Sequence, residues 1–160
     1  QAFGEVAHSY HGLGHRLETV ETISGVTFIN DSIASTPEAS LAGIDSFAEP
    51  IVLLIGGHDR GLDLNEYCAQ IQQRTGRLRQ VIVFGEVSGR LSEVLGNYSV
   101  PHILAIGMEN IVNLASEHAQ PGDIVLLSPG FSSYDSYLKF SFRGDDFKKY
   151  VHKLAPTNDR

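Results

Sequence analysis

Ile51-Val52-Leu53-Leu54-Ile55-Gly56-Gly57 is the stretch on which the fold turns. Five consecutive apolar residues leave no polar face, so a strand here must be covered on both sides, as in a parallel sheet wrapped by helices. The paired glycines end it abruptly. The same unit recurs downstream. Leu64–Gln73 carries a helical apolar pattern, Val81–Phe84 is an apolar strand ending at Gly85, and Val87–Leu95 is again helical. His102–Ala105 reads as a weak strand ending near Gly107 and Glu109–His118 as a helix. Ile124–Leu127 is a strand ending in Ser128-Pro129-Gly130, and Ser136–Phe140 and Arg143–Leu154 read as closing helical segments. Upstream, Leu17–Ile23 and Val26–Ile29 flank Ser24-Gly25 as two short strands, a hairpin or neighbours. Thr36-Pro37-Glu38 opens a helix, with Thr as N-cap, Pro at the first helical position and an acid in the first turn. Short apolar strands alternating with amphipathic helices predict a doubly wound α/β domain: a mostly parallel sheet with helices on both faces.

The chain has 160 residues, enough for one domain with a real core. Twelve Lys and Arg against nineteen Asp and Glu give a formal charge of −7, so no whole-domain basic footprint for nucleic acid exists. No apolar run approaches the roughly 20 residues of a membrane span, and no membrane partner is expected. Cys68 is the only cysteine, which excludes a disulfide framework or a Cys-based zinc site within one chain. The seven histidines form no HExxH, and no metal site is expected. The chain begins at Gln1 and its one methionine is Met108, so we expect a segment of a longer protein. Residues 1–16 read as a connecting segment, 17–154 as the domain and 155–160 as a tail.

In doubly wound sheets ligands bind beyond the carboxyl ends of the strands. Four polar or glycine-rich sets fall there: Asn30-Asp31-Ser32, Gly56-Gly57-His58-Asp59-Arg60-Gly61, Gly85-Glu86, and Ser128-Pro129-Gly130-Phe131-Ser132-Ser133. Glycines let backbone N–H groups approach an anion, and Arg60 adds a fork suited to carboxylate or phosphate, although a plain tight turn with a solvated arginine fits too. Thr36 comes six positions after Asn30, more loop than helix capping needs. The Ser128–Asp135 run suits an anion at a helix N-terminus, or a turn with a serine N-cap; it lacks the GxSxG elbow of a nucleophilic serine. Gly12-Leu13-Gly14-His15-Arg16 begins like a dinucleotide fingerprint, but no strand precedes it and no third glycine follows. A phosphate-cradling GxxxxGK[ST] loop is absent.

Taken in order, these pieces resemble the C-terminal domain of the Mur ligase family, in its D-glutamate-adding branch. The carriers are Gly12–Glu18, Gly25–Thr36 with Asn30-Asp31-Ser32, Gly56–Asp63, and Leu126–Pro129 with Ser133, Asp135, Phe140 and Arg143–Phe147. The resemblance implies a Rossmann-like domain of a bacterial cytoplasmic, monomeric, ATP-dependent ligase of peptidoglycan synthesis. That enzyme joins D-glutamate to UDP-N-acetylmuramoyl-L-alanine through an acyl phosphate. ATP and Mg2+ are then bound mainly by a central domain that precedes this one, and the isolated chain is expected to be inactive. Ser35, Arg60, Ser133, Tyr134 through its backbone, and Phe140 match the D-glutamate site. Arg16 and Asp31 match positions that reach the nucleotide. Gly14 stands where the family shows Pro, Ser35 where it shows Thr, and Arg60 where Lys is frequent. Ile33 stands where several members have Lys, and Gly130 and Phe131 replace smaller or different residues near the carboxylate loop. Two other readings are a stand-alone α/β module for small anions and a folylpolyglutamate-type amide ligase.

Overall fold

The computed structural model describes residues 14–156. Most of the segment assigned as a connector, including Gly12 and Leu13, and the last four tail residues lie outside the described residues. Six strands form one sheet: β1 (Glu18–Ile23), β2 (Val26–Asn30), β3 (Ile51–Gly56), β4 (Leu78–Phe84), β5 (Ile103–Leu104) and β6 (Ile124–Gly130). Their spatial order is β1-β2-β6-β3-β4-β5. β1 and β2 are an antiparallel hairpin, and every other pairing is parallel. The hairpin turns at Ser24 and Gly25, both at positive φ, the geometry that matches strand twist in a two-residue turn.

Helices α1 (Pro37–Asp45), α2 (Asn65–Gln73) and α3 (Ser88–Asn97) cover one face, where Ile44, Tyr67, Cys68, Ile71, Leu91 and Leu95 meet Ile51, Leu53 and Ile55. Helices α4 (Met108–His118) and α5 (Phe140–Leu154) cover the other, where Met108, Ile111, Val112, Phe147 and Val151 join Val52 and Leu54. β3 thus sends alternate residues to two cores, as its unbroken apolar run requires. Thr36 caps α1 as expected, its hydroxyl accepting from the Ala39 N–H at 3.2 Å.

Two expectations need correction. Of the expected helix Ser136–Phe140, Ser136–Lys139 is not helical: Ser133 O accepts from both the Ser136 and Tyr137 N–H groups, making a single turn, and extended Lys139 ends it. One helix then runs from Phe140 to Leu154 rather than starting at Arg143. The weak strand at 102–105 shrinks to Ile103–Leu104, an edge strand paired only with β4. β4 in turn begins at Leu78, three residues before its apolar run, because parallel pairing with β3 sustains it.

Candidate functional site

β2, β6 and β3 lie side by side and parallel, so their carboxyl ends share one edge of the sheet. The chain leaves β2 and β3 toward α1 and α2 on one face and leaves β6 toward α5 on the other. Loops that part in this way open a crevice at a topological switch point. Gly56 and Gly57 let the strand end come this close to its neighbours: at φ +143° and +141°, a Cβ would fall 1.9 Å from Phe84 O and 2.4 Å from Ser132 O respectively.

Backbone bonds lace the three loops. The Gly130 N–H donates to Ala34 O at 2.8 Å, next to Ser35, and the His58 N–H donates to Ser132 O at 2.9 Å, next to Ser133. Arg143 completes the lacing from inside. It is 1% exposed; its Nε donates to Ser32 Oγ (2.9 Å), Nη1 to Phe131 O (2.9 Å) and Nη2 to Ser32 O (2.7 Å). Ser32 Oγ donates in turn to Phe140 O at 2.7 Å. Burial pulls the guanidinium down to about 10, opposed by the field of Asp135, so it stays charged at neutral pH. One buried cation therefore ties together the loops after β2 and β6 and the start of α5.

The residues matched to a D-glutamate site lie on the three loops that leave these strand ends and at the start of α5. Ser35 is half-buried ahead of α1, and Arg60 is exposed on the loop after β3, with no ion pair among the described residues. Ser133 is buried, and its hydroxyl makes only a long 3.4 Å bond to Tyr137 O. Tyr134 beside it is exposed, and Phe140 opens α5 with its ring edge-on to His15 at 6.0 Å. Ile33 is half-buried and donates its N–H to His15 O.

Arg16 and Asp31 differ in setting. Arg16 is exposed, and its neighbours bind the β2 loop: His15 O accepts from Ile33, and the Leu17 N–H donates to Asp31 Oδ1 at 3.1 Å. Asp31 is 4% exposed, and its Oδ2 accepts from Ser128 Oγ at 2.7 Å. Burial raises its pKa, against the lowering effect of Ser128, Leu17 and Arg16. Its carboxylate thus holds the segment that presents Arg16. Among the described residues no three His, Cys, Asp or Glu side chains converge as a metal site would require.

A second crevice opens further along the same edge, where β4 leads to α3 and β5 leads to α4 on the opposite face. It holds a cavity of about 420 Å3 bordered by Gly85, Glu86, Ile106, Met108, Asp135 and Tyr137, with Arg143 at its base.

Sequence reasoning missed two features. Arg143 belongs to an Arg-Gly motif, but two of its three bonds go to Ser32, 111 positions away. Asp59 binds Arg90 in a two-pronged pair, Nε to Oδ2 at 2.9 Å and Nη2 to Oδ1 at 2.7 Å. Adjacency of opposite charges across 31 positions has no local signal.

The family model described as "Mur ligase, glutamate ligase domain" matches residues 15–131. The UDP-N-acetylmuramoylalanine–D-glutamate ligase of Pelotomaculum thermopropionicum is 38% identical over 146 residues, 91% of this chain and 31% of the relative. The enzyme of the same name from Lacticaseibacillus paracasei is 36% identical over 156 residues, 98% of this chain and 33% of the relative. The chain thus spans about a third of the length of these curated relatives. Among solved structures, the MurC UDP-N-acetylmuramate–alanine ligase of Thermotoga maritima superposes with TM-score 0.61 at 10% identity, over 91% of this chain and 31% of that one. The MurF ligase of Thermotoga maritima in complex with ADP gives TM-score 0.55 at 20% identity, over 92% and 33%. At these identities the structural likeness shows the fold.

Proposed function

Because the chain belongs to the Mur ligase family, we propose that it is the D-glutamate-binding, nucleotide-closing domain of the ATP-dependent ligase that adds D-glutamate to UDP-N-acetylmuramoyl-L-alanine. The observation that supports the reading is that the loops after β2, β3 and β6, laced by backbone bonds and by Arg143, bring exposed Arg60 and the hydroxyls of Ser35 and Ser133 to one edge of the sheet. D-Glutamate brings two carboxylates, and each needs donors and positive charge. Arg60 supplies the charge from the β3 loop. Ser35 and Ser133 supply hydroxyls, and the backbone N–H of Tyr134, without an acceptor among the described residues, supplies a further donor. Phe140, the first residue of α5, adds an aromatic ring edge-on to His15.

The chain's role in the chemistry is positional. The reaction forms an acyl phosphate on the L-alanyl carboxylate with release of ADP. The D-glutamate amine attacks the carbonyl carbon, and the tetrahedral adduct collapses to amide and phosphate. Holding both carboxylates fixes the amine for that attack and turns a bimolecular encounter into a near-unimolecular one. Closing this domain over the acyl phosphate excludes the water that would hydrolyse it. Arg16, presented by the Asp31 anchor, reaches the nucleotide phosphates. The phosphate loop and the Mg2+ ligands are assigned to the part of the enzyme that this chain does not span. The enzyme is placed in the bacterial cytoplasm as a monomer.

Steady-state kinetics of the full-length ligase test the reading. Ser133→Ala or Arg60→Ala is expected to raise KM for D-glutamate more than KM for ATP. An effect confined to ATP overturns the assignment. ATP-dependent amide formation by the 160-residue chain alone would refute the division of labour.

A further inference from the structure

The loop after β3 reaches α2 without regular structure from His58 to Leu64, yet its tip is held from the side. Arg90 forks onto both oxygens of Asp59 and also donates through Nη2 to Leu62 O at 3.1 Å. Asp59 Oδ1 accepts as well from the Gly61 N–H at 2.9 Å, where the backbone turns at φ +72°. A single guanidinium on α3 therefore fixes the residues on both sides of Arg60 and leaves the Arg60 side chain free. Without Arg90, residues 59–62 keep only the short Asp59–Gly61 bond. The placement of Arg90 does nothing for its own helix. It lies in the first turn of α3, where the helix dipole is positive and disfavours a cation.

We infer that Arg90, acting through Asp59, is a positioning residue for the D-glutamate site, setting the backbone from which Arg60 reaches the substrate carboxylate. The inference rests on the proposed role of Arg60. Arg90 is exposed and Asp59 half-buried, and a pair this open to solvent adds little to global stability. Its contribution is preorganisation: a loop already fixed loses less freedom when a ligand binds. A two-pronged arginine–carboxylate contact fixes direction as well as distance, which a lysine cannot do.

The test is steady-state kinetics of the full-length ligase with D-glutamate varied at saturating ATP. Arg90→Met is expected to raise KM for D-glutamate roughly 3–10-fold with kcat within about twofold and KM for ATP unchanged. Its Tm stays within about 2 °C of the parent, as for any exposed pair. Asp59→Asn is expected to raise KM in the same direction, although it removes an anion beside an anionic substrate. The double variant is expected to be no worse than either single one. Arg90→Lys keeps the charge, loses the fork and leaves KM raised. In an Arg60→Ala background, Arg90→Met is expected to add nothing.

Full restoration by Arg90→Lys, or a lowered KM in Asp59→Asn, would mean a field effect and overturn the inference. An unchanged KM in Arg90→Met beside a raised KM in Arg60→Ala would overturn it while leaving the D-glutamate assignment standing. An unchanged KM in Arg60→Ala would remove the assignment, and the inference with it.

Discussion

Two crevices open along one edge of the sheet, and they differ in what fills them. The crevice between β4 and β5 is a hollow of about 420 Å3, within the size range of small-molecule pockets. Its border carries Glu86 and Asp135, and its one cation, Arg143, already donates to Ser32 and Phe131. The crevice at β2, β6 and β3 is crossed by the Gly130–Ala34 and His58–Ser132 bonds, and exposed Arg60 lies on its β3 loop. The proposed substrate, with two carboxylates, would meet like charge at the β4–β5 crevice and is assigned to the β2–β6–β3 one. Charge and rigidity, rather than hollowness, decide where an anion is held.

The largest effect that could break this comparison comes from Arg143, which touches both crevices. Arg143→Met leaves Ser32 O and Phe131 O without their buried donor. It is expected to destabilise the domain by roughly 3 kcal/mol, a drop of about 6–12 °C in Tm. Calorimetry checks this; a change under about 1 kcal/mol would mean that the lacing is not held by the buried cation. Next comes Arg60→Ala, which removes a charge-assisted contact. KM for D-glutamate should rise about 10–100-fold in the full-length ligase, with KM for ATP within about twofold.

Protonation distinguishes the paired carboxylates from buried Asp31. Arg90 is the main cause that holds Asp59 down to about 2, and Arg74 and Arg79 likewise lower Asp45 and Asp123. A carboxylate lowered on folding contributes stability above its unfolded value near 4, and that contribution is lost as pH falls toward its folded value. Asp31 is raised and acts in the opposite sense: its burial penalty is relieved on protonation. Urea midpoints should therefore fall between about pH 5 and pH 2, less steeply with Asp31 than in an Asp31→Asn variant. A midpoint that rises over this range would contradict the ion-pair geometry. The smallest expected effect is at the second crevice. Ile106 is 91% exposed on its border, and Ile106→Glu should leave both KM values within about twofold. A large rise in KM for D-glutamate would move the site there.

The sheet was legible in the sequence because a strand buried on both faces has to be apolar throughout, as Ile51–Ile55 and Ile124–Leu127 are. The Thr36-Pro37 helix start was legible because capping is a local bond. The non-helical stretch Ser136–Lys139 was not legible: the turn closed by Ser133 O prevails over the expected helix. Of the candidate site, the loops were legible from their place after the strands. What holds those loops together was not, because Arg143–Ser32, Ser128–Asp31 and Arg90–Asp59 each bridge long stretches of chain. The motif resemblance named Asp31 but not its burial beneath α1, where Gly43 leaves the room: a Cβ there would lie 2.8 Å from Asp31 Oδ2.

The most direct measurement is an amide NMR titration of the full-length ligase, isotope-labelled in this domain, with D-glutamate and with L-glutamate. The account predicts shifts at Ser35, Arg60, Ser133, Tyr134 and Phe140, stronger for the D enantiomer, with Gly85–Ser88 and Ile106–Met108 unmoved. Shifts centred on Gly85–Ser88 and Ile106–Met108, or equal responses to both enantiomers, would contradict it.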